Sequence, residues 1–185
     1  MCTGAAGARL AAYDLAVSSS LAVRPVRIGD VAQMARVTVR CWQETYRGLM
    51  PDAVLDDPGL VAVRERFWAA ALTDERYHEN RVAVAGRDGE LIGIAMSGPP
   101  LDAGAAWARQ LYVLYVLAAE HGTGAGPALL EAVLDPEESA ALWVADPNPR
   151  AQAFYRKHGF AADGAAQVQG GVPEIRMVRG RKHKR

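Results

Sequence analysis

The run LYVLYVLAAEHGTGAGPALLEAVL, residues 111–134, is the strongest constraint on what this chain can fold into. Its first nine residues carry no charge, the pattern of a central strand covered on both faces rather than of a half-exposed one. Three glycines follow, Gly122, Gly124 and Gly126, and then Leu129, Leu130, Val133 and Leu134 fall on one helical stripe. Glycine costs roughly 0.5–1 kcal/mol relative to alanine in ordered backbone. Three of them between a strand and a helix therefore mark a turn with a special task. A helix start presents free N–H groups and the positive end of the helix dipole. Glycines just before it let an anion approach the backbone closely, so the turn reads as a phosphate site.

The flanking sequence supplies the rest of an α/β domain. Residues 21–28 read as a strand, and Asp30 stands where it would cap a helix. Val31, Met34, Thr38, Trp42 and Tyr46 then recur at helical spacing, with Gln33, Arg36 and Arg40 on the other face. A second helix is predicted over residues 60–72, with Leu60, Val63, Phe67 and Ala71 on one side. RVAVAGRDGELIGIAMS reads as a hairpin turning at Asp88-Gly89. AALWVA is a further strand, DPNPRAQAFYRKHGF a further helix, and residues 161–167 and 173–178 a closing strand pair. The predicted order is β-α-α-β-β-β-α-β-α-β-β, with the last pair antiparallel.

A chain of 185 residues suits one domain. The expected division is a flexible extension over residues 1–20, the domain over 21–179 and a solvated basic tail over 180–185. The 21 basic and 21 acidic residues balance, so no charge excess points to nucleic acid. The longest apolar run is too short to cross a bilayer, and the first 20 residues, interrupted by Arg9 and Asp14, do not read as a signal peptide. Cys2 and Cys41 lie far apart, which suits a reducing, cytoplasmic setting, with Cys41 in the core. No Cys/His cluster has metal spacing, so no metal is expected.

Which phosphate compound the turn holds follows from its register. A P-loop needs G-x-x-x-x-G-K-[ST], but Pro127 stands five residues after Gly122 and no Lys-Ser/Thr pair follows. The dinucleotide pattern G-x-G-x-x-G puts Pro127 or Leu129 at its third glycine. The acyl-coenzyme A pattern [RQ]-x-x-G-x-G/A places Gly124 and Gly126 correctly, with His121 at its first position. A second stretch, NPRAQAFYRKHGF, reads N-x-x-A-x-x-F-Y-x-x-x-G-F. Asn148 suits an N-cap, Pro149 a first turn and Gly159 a left-handed C-terminal cap. Only Tyr155 has no local necessity. With both motifs in order and a strand between them, residues 111–160 resemble the GCN5-related N-acetyltransferase (GNAT) superfamily.

The resemblance implies a single-domain acyl-CoA N-acyltransferase fold: a mixed, mostly antiparallel central sheet, splayed at the cofactor cleft, with helices on both faces. It implies acetyl-CoA as cosubstrate. The backbone of Leu114, Tyr115 and Val116 would meet the acetyl and pantetheine portions. His121, Gly122, Thr123, Gly124, Ala125, Gly126 and Pro127 would hold the pyrophosphate. Asn148 would touch the pantetheine, and Tyr155 would protonate the leaving thiolate after direct attack by a primary amine. A strand N–H would meet the developing oxyanion. The expected partner is an amine, either a small molecule or a protein N-terminus, with at most a second copy in a homodimer and neither nucleic acid nor membrane. A non-catalytic acyl-CoA-binding module is the alternative.

The sequence departs from the family pattern in three places. His121 replaces Arg or Gln, and residues 117–119 lack a proline often found there. Gln110 and Trp143 occupy positions where relatives carry a glutamate base. Glu44, His78 and Asp102 are other candidate bases, none of them assigned. With no base, activity is expected to follow the protonation of the amine itself. CWQETYRGLMPDAVL is expected to line the acceptor side, with Trp42, Tyr46 and Trp107 shaping its walls.

Overall fold

The computed structural model of the chain describes residues 20–102 and 104–181. The predicted extension, apart from Ser20, and the last four residues of the tail lie outside the described residues.

Seven strands form: β1 (Ala22–Pro25), β2 (Arg81–Arg87), β3 (Glu90–Gly98), β4 (Arg109–Val116), β5 (Ala140–Ala145), β6 (Ala161–Gln169) and β7 (Val172–Arg179). They form one sheet in the order β1-β2-β3-β4-β5-β7-β6, antiparallel except for β4–β5. The crossover from β4 to β5 runs through α4 (Ala125–Val133), which is why that pair alone is parallel. The β2–β3 turn sits at Asp88 and Gly89, both at positive φ (52° and 84°), as a tight hairpin requires.

The sheet separates two apolar layers. On one face α1 (Val31–Tyr46) and α3 (Leu60–Thr73) bury Met34, Cys41 and Trp68 against Val84, Ile94 and Met96. On the other, α4 and α5 (Pro149–Lys157) bury Leu129, Leu130 and Tyr155 against Ala95, Leu142 and Met177. β3 feeds both layers, which explains its nearly uninterrupted burial. A four-residue helix, α2 (Asp52–Leu55), follows α1 and was not legible as a separate element. Asp30 precedes α1 but does not cap it. Its carboxylate instead takes the backbone N–H of Arg27 at 2.7 Å and both guanidinium nitrogens of Arg24 at 2.7 and 2.8 Å. Among the described residues no helix is long and apolar enough to cross a membrane.

Trp68 holds the α1–α3 layer together. It is 0% exposed, and its indole N–H donates to Thr38 Oγ1 at 2.9 Å. Trp68→Ala is expected to cost about 3–5 kcal/mol by urea denaturation, through lost burial and the cavity left behind.

Candidate functional site

Parallel pairing between β4 and β5 covers only Arg109–Ala140, Gln110–Ala141 and Leu111–Leu142, although both strands continue. Two local features part them. Ser97 faces Leu111 while Met96 faces Val113, so Tyr112 is an extra residue that bends β4. At the end of β5, the buried Gln152 of α5 donates to Ala145 O (3.4 Å) and Asp146 Oδ1 (3.0 Å), tying that end to the helix. Beyond the bulge, the N–H of Leu117 donates to Ile92 O of β3. Strand alternation then turns the backbone groups of Leu114 and Val116 into the gap. His121 takes Val116 O, and the remaining groups, the N–H and C=O of Leu114 and the N–H of Val116, call for a partner.

The gap opens into a cleft of about 510 Å³. Leu114, Tyr115 and Val116 form one wall, and His121, Gly122, Gly124, Gly126 and Pro127 form the turn at the head of α4. Asn148 and Phe154 face them from α5, and Cys41, Thr45 and Tyr46 at the end of α1 close the far side. Two predicted turn residues keep their side chains out of the cleft. The hydroxyl of Thr123 turns back to Glu120 O at 2.9 Å, and Ala125 is 0% exposed beneath its helix. Asn148 caps α5 as expected, its Oδ1 accepting from Ala151 N at 3.1 Å. Gly159 takes the left-handed cap at φ 85°.

The glycines have distinct reasons. Gly122 (φ 83°) and Gly124 (φ 94°) occupy the left-handed region that other residues avoid. At Gly126 the constraint is space: a Cβ there would stand 3.3 Å from the Phe154 ring, which would have to shift by a few tenths of an ångström. His121 is held on both ring nitrogens: Nε2 lies 2.9 Å from Val116 O, and Nδ1 meets the guanidinium of Arg150. An N–H on Nε2 and a bare Nδ1 satisfy both contacts. Arg150 and Lys157 bring positive charge to the cleft, while Glu120 is engaged by Arg87 at 3.2 Å.

Tyr155 does not line this cleft. It is 8% exposed, edge-on to Phe154 and Phe160 with ring centroids at 5.3 and 5.9 Å. Its phenol is near those of Tyr46 and Tyr115, and Tyr115 is fixed by the indole N–H of Trp42 at 2.9 Å. Burial is the main cause that pushes all three phenols above their ordinary range. They stay protonated throughout the neutral range. Their stabilisation is therefore intact below pH ~10, the ordinary phenol value, and is lost as pH rises above it. Alkaline unfolding followed by circular dichroism is expected to begin there. Burial, followed by the charge of Glu44, pushes the Cys41 thiol up to about 12, so it is no nucleophile at neutral pH.

A second cavity, about 600 Å³, lies on the α1–α3 side of the sheet. Phe67 of α3, Tyr112 and Val113 of β4, Trp143 of β5 and Glu174 of β7 line it. Gln110 lies there too, its Oε1 occupied by the N–H of Leu101 at 3.0 Å. The stretch CWQETYRGLMPDAVL is divided between a cavity wall and the fold. Cys41 and Tyr46 face the first cleft, Gln43 ties to Leu55 O, and the wall of the second cavity comes from α3. Trp107 lies beneath the guanidinium of Arg176, 4.8 Å from its ring centre. None of the three candidate bases lines either cavity. Glu44 pairs with Arg40 and accepts from Ala118 N, His78 bonds Glu75 O, and Asp102 pairs with Arg176. Glu174 escaped the sequence reading, whose only hint was an acidic residue inside a predicted strand.

Residues 35–160 match the profile of the acetyltransferase (GNAT) family. An uncharacterized N-acetyltransferase of Mycobacterium tuberculosis (strain H37Rv) is 38% identical over 107 residues, 52% of this chain and 61% of that protein. The chain thus spans less than two thirds of that relative's length. An uncharacterized N-acetyltransferase of Bacillus subtilis, YuaI, is 26% identical over 132 residues, 69% of this chain and 73% of that protein. Among solved structures, the PaiA N-acetyltransferase of Thermoplasma acidophilum in complex with coenzyme A superimposes with a TM-score of 0.66 at 18% identity, covering 88% of this chain and 99% of that one. A Corynebacterium glutamicum protein described as histone acetyltransferase HPA2 and related acetyltransferase does so with 0.68 at 21% identity, covering 89% and 98%. At these identities the likeness to solved structures concerns the fold.

Proposed function

The chain belongs to the acetyltransferase (GNAT) family, and from that premise we propose that it transfers an acetyl group from acetyl-CoA to a primary amine. The observation that carries this reading is the end of β4–β5 pairing at Leu111 and Leu142, which leaves β4 backbone facing a cleft headed by the glycine turn. A pantetheine chain has amides that suit such an edge. A pyrophosphate suits the N–H groups opening α4, with Arg150 and Lys157 close by. Acetyl-CoA supplies the activated thioester. The chain's own residues supply the rest. An N–H of Leu114 or Val116 meets the developing oxyanion. Tyr155 is the proton donor to sulfur. What supports that role is a phenol kept protonated by burial and, among the described residues, free of any hydrogen-bond acceptor. Dependence on acetyl-CoA and a free thiol at Cys41 favour the cytoplasm.

Release of coenzyme A thiol across a panel of amines tests the proposal, alongside the melting temperature with and without acetyl-CoA. Stabilisation with turnover on at least one amine is expected. Binding without release on any amine would leave the non-catalytic acyl-CoA-binding reading. Absence of both would end the assignment.

A further inference from the structure

Ammonium groups are not nucleophiles, and at a lysine-like pKa of ~10.4 only about one amine in 2,000 is free at neutral pH. The second cavity bears on how this chain meets that difficulty. Glu174 and Arg76 are the charged residues lining it. Arg76 is engaged by Asp74 at 2.5 Å, whereas Glu174 has no cationic partner among the described residues. The Glu174 carboxylate only accepts a neutral hydrogen bond from Gln167 Nε2 at 2.8 Å across the β6–β7 hairpin. Phe67, Tyr77, Tyr112 and Trp143 line the same cavity. Phe67, Tyr77 and Leu101, all lining this cavity, are 40%, 41% and 74% exposed, so apolar surface is concentrated at its mouth.

The cavity and the cleft share strand β4 where it parts from β5, Val113 lining the first and Leu114 the second. Glu174 lies near enough to Tyr46, in the cleft wall, for its charge to help hold that phenol protonated. A lone carboxylate in an aromatic cavity selects a cation carried on an apolar body.

We propose that this cavity binds the acceptor, a primary ammonium on a flat apolar or aromatic body, and that Glu174 takes its proton. The proposal rests on the acetyltransferase reading above. The ammonium gives one proton to Glu174. The freed lone pair then forms the C–N bond to the acetyl carbon, and the C–S bond breaks with its electron pair passing to sulfur. Tyr155 protonates the sulfur and is itself restored by the second proton leaving nitrogen. Glu174 releases its proton to solvent, so one proton is produced per amide formed.

Phenethylamine and its neutral counterpart 2-phenylethanol are the probes, measured by calorimetry on the full chain, with thiol release followed in parallel. Wild type is expected to bind the cation at least tenfold more tightly than the alcohol. Glu174→Gln, which keeps the shape and can still bond Gln167, is expected to erase that preference. It should also lower kcat/KM for phenethylamine about 30-fold while acetyl-CoA binding is unchanged. Phe67→Ala, at a surface position, is expected to weaken phenethylamine about fivefold and spare ethanolamine. If Glu174→Gln binds and acetylates phenethylamine like wild type, Glu174 only braces its hairpin and the proposal falls while the acetyltransferase reading stands. If wild type acetylates other amines but does not bind phenethylamine, the substrate class is wrong. If no amine is acetylated, the acetyltransferase reading fails, and the calorimetric preference alone decides whether Glu174 recognises the cation.

Discussion

Gly124→Val is expected to abolish acetyl-CoA binding in a protein that still folds. Gly124 sits at φ 94° immediately before the first residue of α4. An L-residue there costs roughly 1–2 kcal/mol, and a β-branched one is the least tolerated. The chain escapes by moving out of the left-handed region, which turns the N–H groups of Gly124, Ala125 and Gly126 away from a common point. Outside its own turn the added Cβ meets nothing closer than Leu21 Cδ2 at 4.0 Å, so the fold accommodates it, and the effect falls on the turn's backbone. Wild type at 100 times its dissociation constant should gain about 2.7 kcal/mol from acetyl-CoA. The variant should lose 1–2 kcal/mol of intrinsic stability and gain nothing from ligand. An unchanged dissociation constant in the folded variant would overturn the phosphate assignment, and so would a larger thermal shift with NADH than with acetyl-CoA in wild type.

Tyr155→Phe is expected to lower kcat by roughly 10²-fold or more while acetyl-CoA affinity and thermal stability stay nearly constant. The substitution is clean because the phenol has no hydrogen-bond acceptor among the described residues, while its ring is held by Phe154 and Phe160. Removing the hydroxyl leaves no buried group unsatisfied. The raised phenol pKa means that Tyr155 carries its proton at every pH where the enzyme is stable, so its ionisation should produce no loss of activity below pH ~10. Tyr155 lies near Tyr46 and Tyr115, which line the cleft. A kcat within threefold of wild type, with intact fold, would reduce Tyr155 to packing. In that case Tyr46 and Tyr115, equally protonated and lining the cleft, become the next phenols to replace.

What the sequence alone determined is local. The apolar run of β4, the period of α1, the Asp88-Gly89 turn and the two caps of α5 are each written within a dozen residues, because helix, strand and turn preferences depend on near neighbours. The two motifs spanning residues 111–160 likewise identified the cleft and its glycine turn. Even there the reason for each glycine needed coordinates, since only packing shows that Gly126 makes room for Phe154. The second cavity belonged to tertiary structure. β7 inserts between β5 and β6, pairing Glu174 with Ala145 and Arg176 with Trp143 across about thirty residues of chain. Helix α3, rather than the end of α1, covers the neighbouring surface. Strand order and helix placement are set by which apolar faces bury one another over long separations, and no local period records that choice. Glu174 was visible in the sequence as one acidic residue in a strand, and only the sheet put it in one cavity with Trp143.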